Sequence, residues 1–240
     1  MTLIIPKYNY QAISRESVEG KRLYSCPDGS KVPSVTTILD QTKSEEKKAA
    51  LQNWRNAVGA DKAQQITTEA ANRGTRMHKF LEDLLLTGTF NSAGTNPYSK
   101  ISHAMAEQIV VNAFPHVDEF WGSEVPLYYE GLYAGTTDVL GVWKGKEAIM
   151  DFKQTNKPKK REWIEDYFHQ LSAYAQAHNK MHGTNIRTGV ILMCAQPKTN
   201  AKLEIISVPE YQEFIVELDE FDKYTNEWWD KVEQYYSRNG

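Results

Sequence analysis

A mixed α/β architecture is predicted for this chain by three observations. Ala63, Ile66, Ala70, Gly74, Met77, Leu81 and Leu84 recur at helical spacing across 61–87. From Phe120 the pattern changes to strand-type runs, Ser123–Tyr129, Tyr133–Trp143 and Glu147–Lys153, separated by turn residues at Glu130-Gly131 and Lys144-Gly145-Lys146. A helical period then returns over Lys160–Met181, carried by Trp163, Tyr167, Leu171, Tyr174 and His178, and a short apolar strand follows at Thr188–Cys194. Helix, three-stranded antiparallel meander, helix and strand together make a sheet flanked by helices.

Residues 1–35, interrupted by Pro6, Pro27 and Pro33 with a turn at Pro27-Asp28-Gly29, read as irregular or weakly stranded and wrap onto the rest. Ser34–Leu39 opens a short helix after Pro33, and Ser44–Ala60 is a charged, exposed helix with Trp54 on its apolar side. Its charge run Lys43, Glu45, Glu46, Lys47, Lys48 is a solvated face. The helix over 61–87 takes Asp61 as its cap and ends before Gly88. A glycine inside an apolar helix stripe costs about 1 kcal/mol against alanine, so Gly74 marks either a close backbone approach or a break between two helices. Gly88–Pro97 is a loop by composition, and a further helix runs over Ser99–Ala113. Leu203–Val208 is expected as one more strand. Ser207-Val208-Pro209-Glu210 has the form of a capping box and opens a terminal helix with an aromatic stripe of Phe214, Leu218, Phe221, Trp228, Val232 and Tyr235. That stripe docks either on this domain or on a partner such as a polymerase or recombinase. The organisation expected is one domain over 1–240, with an extension over 1–60, a core over 61–208 and the terminal helix over 209–240.

The totals narrow the classes. With 240 residues, 40% hydrophobic and 25% charged, the chain has the make-up of a soluble globular protein. A net charge of −3 excludes an overall basic coat of the kind that gives tight duplex binding, so any nucleic-acid contact is local. Two cysteines cannot supply a four-thiolate site, and a reducing compartment fits best. No run reaches the roughly 18 apolar residues of a membrane span, and Met1–Tyr10 has no signal-peptide pattern. The chain reads as cytosolic, in a bacterium or a phage-infected host cell, with its oligomeric state unspecified.

Chemistry concentrates in Glu147–Lys153. Residues i and i+2 of a strand face the same way, so Asp151 and Lys153 emerge side by side and Phe152 points to the opposite face. Acid-x-Lys also occurs at Glu19–Lys21, Glu45–Lys47 and Glu46–Lys48, and spacing alone does not choose among them. Asp138, in the middle strand, can pair laterally near Asp151. Two carboxylates held together need a cation between them, and hard oxygen ligands suit Mg²⁺ or Mn²⁺; the alternative is two separate surface acids. Gln170 and Tyr174, one helical turn apart, present an amide and a phenol on one face, and Gly74 and His78 form another one-turn pair.

Gly74-x-x-x-His78, Gly135-x-x-Asp138, Asp151-x-Lys153 and Gln170-x-x-x-Tyr174, in this order, resemble the successive motifs of the RecB-type branch of the PD-(D/E)XK nuclease superfamily. The resemblance covers roughly residues 70–195. Pro33-Ser34-Val35-Thr36 and the compact plan further resemble the mitochondrial genome maintenance exonuclease group and its phage relatives. The family implies a restriction-endonuclease-like core of order α-β-β-β-α-β with added N- and C-terminal helices, and Mg²⁺- or Mn²⁺-dependent hydrolysis of phosphodiester bonds in replication, recombination or repair. Carried over, Asp138, Asp151, His78 and the Phe152 carbonyl hold the metal, Lys153 works on the attacking water, and Gln170 and Tyr174 position the phosphate or metal-bound waters. Glu82 and Glu124 are extra acids near that site. Relatives with an iron–sulfur cluster carry four cysteines, which this chain lacks, so no cluster is expected. Lys157, Lys159, Lys160 and Arg161 form a local basic patch, either a solvated loop or a steering surface for DNA, and Tyr128, Tyr129, Tyr133 and Trp163 are candidates for stacking single-stranded bases. The expected activity is a DNA exonuclease favouring single-stranded or end-opened DNA. The alternatives are a structure-selective endonuclease of the same fold and a non-catalytic nucleic-acid-binding module.

Overall fold

The structure, a computed structural model, describes residues 1–18 and 21–239. Its elements run β1 (Ser14–Val18), β2 (Lys21–Ser25), β3 (Lys31–Pro33), α1 (Val35–Gln41), α2 (Glu45–Val58), α3 (Ala60–Thr87), α4 (Pro97–Ala113), β4 (Val117–Tyr129), β5 (Tyr133–Trp143), β6 (Lys146–Thr155), α5 (Glu165–His182), β7 (Thr188–Ala195), β8 (Glu210–Glu217) and α6 (Leu218–Asn239). The main sheet has the order β4-β5-β6-β7-β8. Only β6 and β7 are parallel, with Asp151 beside Ile191 and Lys153 beside Met193; the other neighbours are antiparallel.

Alternation along the strands divides the core in two. Val139, Met150, Phe152 and Leu192 face α3 and α4, where Met77, Leu81, Leu85, Met105 and Ile109 meet them. Leu140, Ile149, Ile191 and Met193 face α5 and α6. Every residue of β7 is buried, because both faces are covered and both edges are paired. The site lies where the meander and this parallel pair meet.

The meander and the helices on either side of it follow the sequence expectation, and several other elements differ. Ser14–Val18, Lys21–Ser25 and Lys31–Pro33 form an antiparallel sheet, β1-β2-β3, whose register pairs Tyr24 with Val32. Glu19 of the Glu19–Lys21 pair lies outside the described residues. The segment does wrap onto the domain: Leu3 N donates to Leu85 O at 2.9 Å and Ile5 N to Phe120 O at 2.7 Å. No residue of α2 is buried, and Trp54 is exposed, so the apolar side expected of this exposed helix enters no core. α3 is capped at Gly59, with Asp61 inside its first turn, and it passes through Gly74 unbroken. Arg161–Trp163 is a 3-10 turn, α5 begins only at Glu165, and Trp163 is exposed instead of joining the apolar stripe.

The largest correction concerns the C-terminal segment. Leu203–Val208 is not a strand; Ile206 and Val208 are exposed. Ser207 forms no capping box, and its Oγ accepts from Lys198 N at 2.8 Å. The strand that completes the sheet is β8, pairing Glu210 through Glu217 with β7, so the terminal helix expected from 209 starts nine residues later, at Leu218. The open edge of β7 captured a segment whose own pattern also suits a helix. Phe214 therefore belongs to a strand and Leu218 is exposed, while Phe221, Trp228, Val232 and Tyr235 pack into the core, docking α6 on this domain.

Candidate active site

The site forms where β5 and β6 part. Their ladder ends at Val139 paired with Met150. One step further along the same register Asp138 stands opposite Asp151, but the ladder bond is replaced: Phe152 N donates to Asp138 Oδ2 at 2.7 Å. β6 continues beside β7 as far as Thr155, which carries Asp151 and Lys153 on one face. Both carboxylates are buried. Asp151 Oδ2 lies 2.5 Å from Lys153 Nζ yet receives no well-directed hydrogen bond.

α3 brings His78 across from the other side, its Nδ1 3.5 Å from Asp138 Oδ1 and its ring edge-on to Phe152. β4 supplies Glu124, at φ 50°, a left-handed conformation that is uncommon outside glycine. Its neighbours Ser123 and Val125 pair with Val139 and Thr137, so Glu124 flanks Asp138. His78, Glu124 and Asp138 each offer one ligand atom, and the three atoms lie within 4.8 Å of one another. An imidazole nitrogen and two carboxylate oxygens, with a third acid at hand whose buried oxygen lacks a hydrogen bond, are a donor set that fits a divalent cation. Asp151 is not part of this triad; its carboxylate is turned to Lys153.

The charges are tightly linked. Burial and then the Asp138 charge push the Glu124 carboxyl up to about 7. Burial, only partly offset by Lys153, pushes Asp151 up to about 6. Asp138 moves the other way: burial opposes ionisation, but His78 and Lys153 together hold its carboxyl below the usual range. For His78 burial favours the neutral ring, and Asp138 outweighs it, raising the imidazole to about 9. Crowding several acids around one imidazole and one ammonium stores unfavourable charge that a bound cation would relieve.

The motif glycines are close approaches. A β-carbon on Gly135 would stand 2.8 Å from Tyr174 Oη, and one on Gly74 would stand 3.2 Å from Gln154 Cγ. Gly74 thus allows α3 to lie against β6. Lys153 Nζ donates to Gln170 Oε1 at 3.2 Å, and Gln170 Nε2 donates to Tyr174 Oη at 3.4 Å, so the Asp-x-Lys strand and the Gln-x-x-x-Tyr helix face form one chain of contacts. Ser34, capping α1, also bridges to Ala134 beside Gly135.

Other expected residues do not converge there. Glu82 lies beside Lys79 at 3.5 Å and is outside the triad. Within the basic patch, Arg161 is committed to Glu220 at 2.7 Å and to Ile215 O, while Lys157 and Lys160 are exposed. Tyr133 is fully buried, its hydroxyl donating to Ala173 O at 3.0 Å, and Tyr129 stacks on it, so neither is a platform for bases; Trp163 is exposed beside Lys160. Sequence reasoning missed Arg73, which is buried and bonded to Gln154, Asn156 and Gln196. Its one signal was its place directly before Gly74 in a buried stripe.

No family model matches the chain. It is 26% identical over 218 residues to mitochondrial genome maintenance exonuclease 1 of Mus musculus, an alignment spanning 85% of this chain and 59% of that protein. To the Xenopus tropicalis protein of the same name it is 25% identical over 211 residues, spanning 80% of this chain and 58% of that one. Its relatives are mitochondrial genome maintenance exonucleases. The chain spans somewhat over half the length of these two. Among solved structures it is similar to a candidate exonuclease from Eubacterium rectale, with a TM-score of 0.46, 14% identity and coverage of 71% of this chain and 65% of that one. It is also similar to a phage-related exonuclease from Haemophilus somnus, with a TM-score of 0.38, 15% identity and coverage of 85% and 91%. Among the described residues no helix is long and apolar enough to cross a membrane.

Proposed function

We propose that this chain is a Mg²⁺- or Mn²⁺-dependent DNA exonuclease on a PD-(D/E)XK core, one domain that hydrolyses phosphodiester bonds of single-stranded or end-opened DNA in a cytosolic setting. The observation that carries the reading is the convergence of one ligand atom each from His78, Glu124 and Asp138, all within 4.8 Å of one another, beside the Asp151–Lys153 pair. The order α3, β4-β5-β6, α5, β7 supports the core assignment, and the relatives named as exonucleases support the activity.

In the reaction a water oxygen attacks phosphorus, one P–O ester bond breaks, and the departing alkoxide takes a proton. A divalent cation bound there would supply a lowered water pKa and a counter-charge to the charge developing on phosphorus. Asp138, His78 and Glu124 would hold that cation, and Asp151, whose carboxylate is turned to Lys153, and the Phe152 carbonyl would complete its ligands. Lys153, fixed between Asp151 and Gln170, orients the water and steadies negative charge as it develops on phosphorus. Gln170 and Tyr174 keep the Lys153 ammonium in place and present polar edges to the phosphate.

The test is end-labelled linear and covalently closed circular single-stranded DNA, each with Mg²⁺, Mn²⁺ or chelator, using the wild type and Lys153→Ala. Metal-dependent loss of linear but not circular DNA, abolished in the variant, is expected. Cutting of circles would make the chain an endonuclease, and equal activity of wild type and variant would end the catalytic reading.

A further inference from the structure

Arg73 is a buried cation that, among the described residues, touches no carboxylate. Only 7% exposed, it bonds three neutral amide oxygens: Gln154 Oε1 at 2.9 Å, Gln196 Oε1 at 2.8 Å and Asn156 Oδ1. Among the described residues it forms no ion pair. Burial disfavours the guanidinium charge, and the Glu69 carboxylate one turn back offsets that only in part while Arg76 adds to it. The fork also ties α3 to the carboxyl ends of β6 and β7, the strand pair that carries Asp151 and Lys153.

This charge stands at the wall of a cavity of about 340 Å³, with Arg76, Tyr98, Gln196 and Thr199 around it and Glu69 on its lining. Glu69 is an exposed residue one turn before Arg73 and takes a hydrogen bond from Gln65 at 3.3 Å. Arg76 spends one N–H on Ser102 Oγ at 3.4 Å and lies 5.9 Å from the Tyr98 ring; among the described residues its other N–H groups have no side-chain partner. Tyr98 is 45% exposed at the start of α4. Two guanidinium groups, side-chain amides and an open phenol ring within one cavity are the combination that binds a phosphate and stacks the base attached to it. Arg73 precedes His78 by five residues on α3, about 7.5 Å along the axis and about 140° around it, so the cavity opens on the flank of the helix toward α4 while His78 faces Asp138 and Glu124.

We infer that this cavity is a second phosphate site, holding a phosphate of the nucleic-acid strand on the flank of α3 away from the candidate metal triad, with Tyr98 against the adjoining base. The inference rests on the nuclease reading above. The phosphate is either a terminal 5′-phosphomonoester or an internal diester, and the same chemistry takes both.

Because Arg73 joins three segments, the test uses Arg76→Gln and Tyr98→Ala, whose side chains lie at the open part of the cavity, with thermal melts to verify folding. Binding of 3′-fluorescein single-stranded oligonucleotides, with a 5′-phosphate or a 5′-hydroxyl, is followed by anisotropy over a salt series. Wild-type background is measured in chelator and Lys153→Ala background in Mg²⁺. Removing one phosphate contact lowers the slope of log K against log salt by about 0.7 and weakens binding about fivefold at about 0.1 M salt; this is expected for Arg76→Gln. Tyr98→Ala is expected to weaken binding with its slope unchanged. If the Arg76 effect appears only with the 5′-phosphate, the site holds the strand terminus; if with both ends, it holds an internal phosphate. Unchanged slope and affinity in Arg76→Gln, in a protein whose wild type still cleaves in a Lys153-dependent way, would overturn the second site and leave the nuclease intact. A wild type that neither binds nor cleaves would overturn both.

Discussion

The hydroxyl of Tyr174 lies 2.8 Å from the point a β-carbon on Gly135 would occupy, and a ring carbon lies 2.9 Å from the same point. Two motifs separated by 39 positions in the chain are therefore one contact (174 − 135). Tyr174 reaches the sheet only because residue 135 has no side chain, and Gln170 then hands the contact on to Lys153.

Gly135→Ala is accordingly expected to destabilise by about 1–3 kcal/mol, the usual range for overpacking a core. Adding Tyr174→Phe should recover only part of that loss, because the ring carbon remains in the way. Urea melts of the two single variants and the double variant give the answer; full recovery would mean that the hydroxyl alone makes the contact.

Lys153 bears on chemistry more than on folding. Lys153→Ala should lower the rate of DNA hydrolysis by about 10²–10³-fold, as removal of one preorganised charge-stabilising donor typically does. Lys153→Arg should not restore it, since a planar fork cannot replace a compact ammonium wedged between Asp151 and Gln170. Single-turnover rates at saturating enzyme separate this from a binding defect.

A cation at the triad should stabilise the fold. At about one hundred times its dissociation constant Mn²⁺ adds about 2.7 kcal/mol, read as a rise in melting temperature that chelator reverses. Asp138→Asn and Glu124→Gln should each blunt the rise. A full rise in both variants would place the ion elsewhere.

His178 gives the protein an acid-sensitive joint. Its ring is buried, bonded through Nδ1 to Thr184 Oγ1 at 2.8 Å and through Nε2 to Tyr10 Oη at 3.2 Å. Burial first, then the charges of His182 and Lys7, press its pKa down to about 3. Below pH ~6.5 the unfolded chain binds a proton there that the folded chain refuses, so stability falls as pH drops from about 6.5 to about 3, by up to about 1.4 kcal/mol per pH unit. Denaturant melts at stepped pH should show a shallower fall for His178→Gln than for the wild type. Parallel curves would remove His178 as the cause.

The sequence by itself determined the elements whose pattern matches their surroundings. The meander could be read because its strands alternate or run apolar as the two covered faces require, and α3 because its stripe from Ala63 to Leu84 keeps one period. Gly74, His78, Gly135, Asp138, Asp151, Lys153, Gln170 and Tyr174 could be singled out by order and spacing, since helices and strands fix which near neighbours share a face. Tertiary structure decided what depends on groups distant in the chain. It made Glu210–Glu217 a strand by offering the free edge of β7, and it placed Glu124 through a left-handed kink in β4. It set Asp151 toward Lys153 instead of into the His78–Glu124–Asp138 triad, and it buried Arg73 against three amides from two other strand ends. Local periodicity fixes which way a side chain points relative to its own element. Which charges then face each other, and with what pKa, depends on how the elements pack and how much water the packing removes.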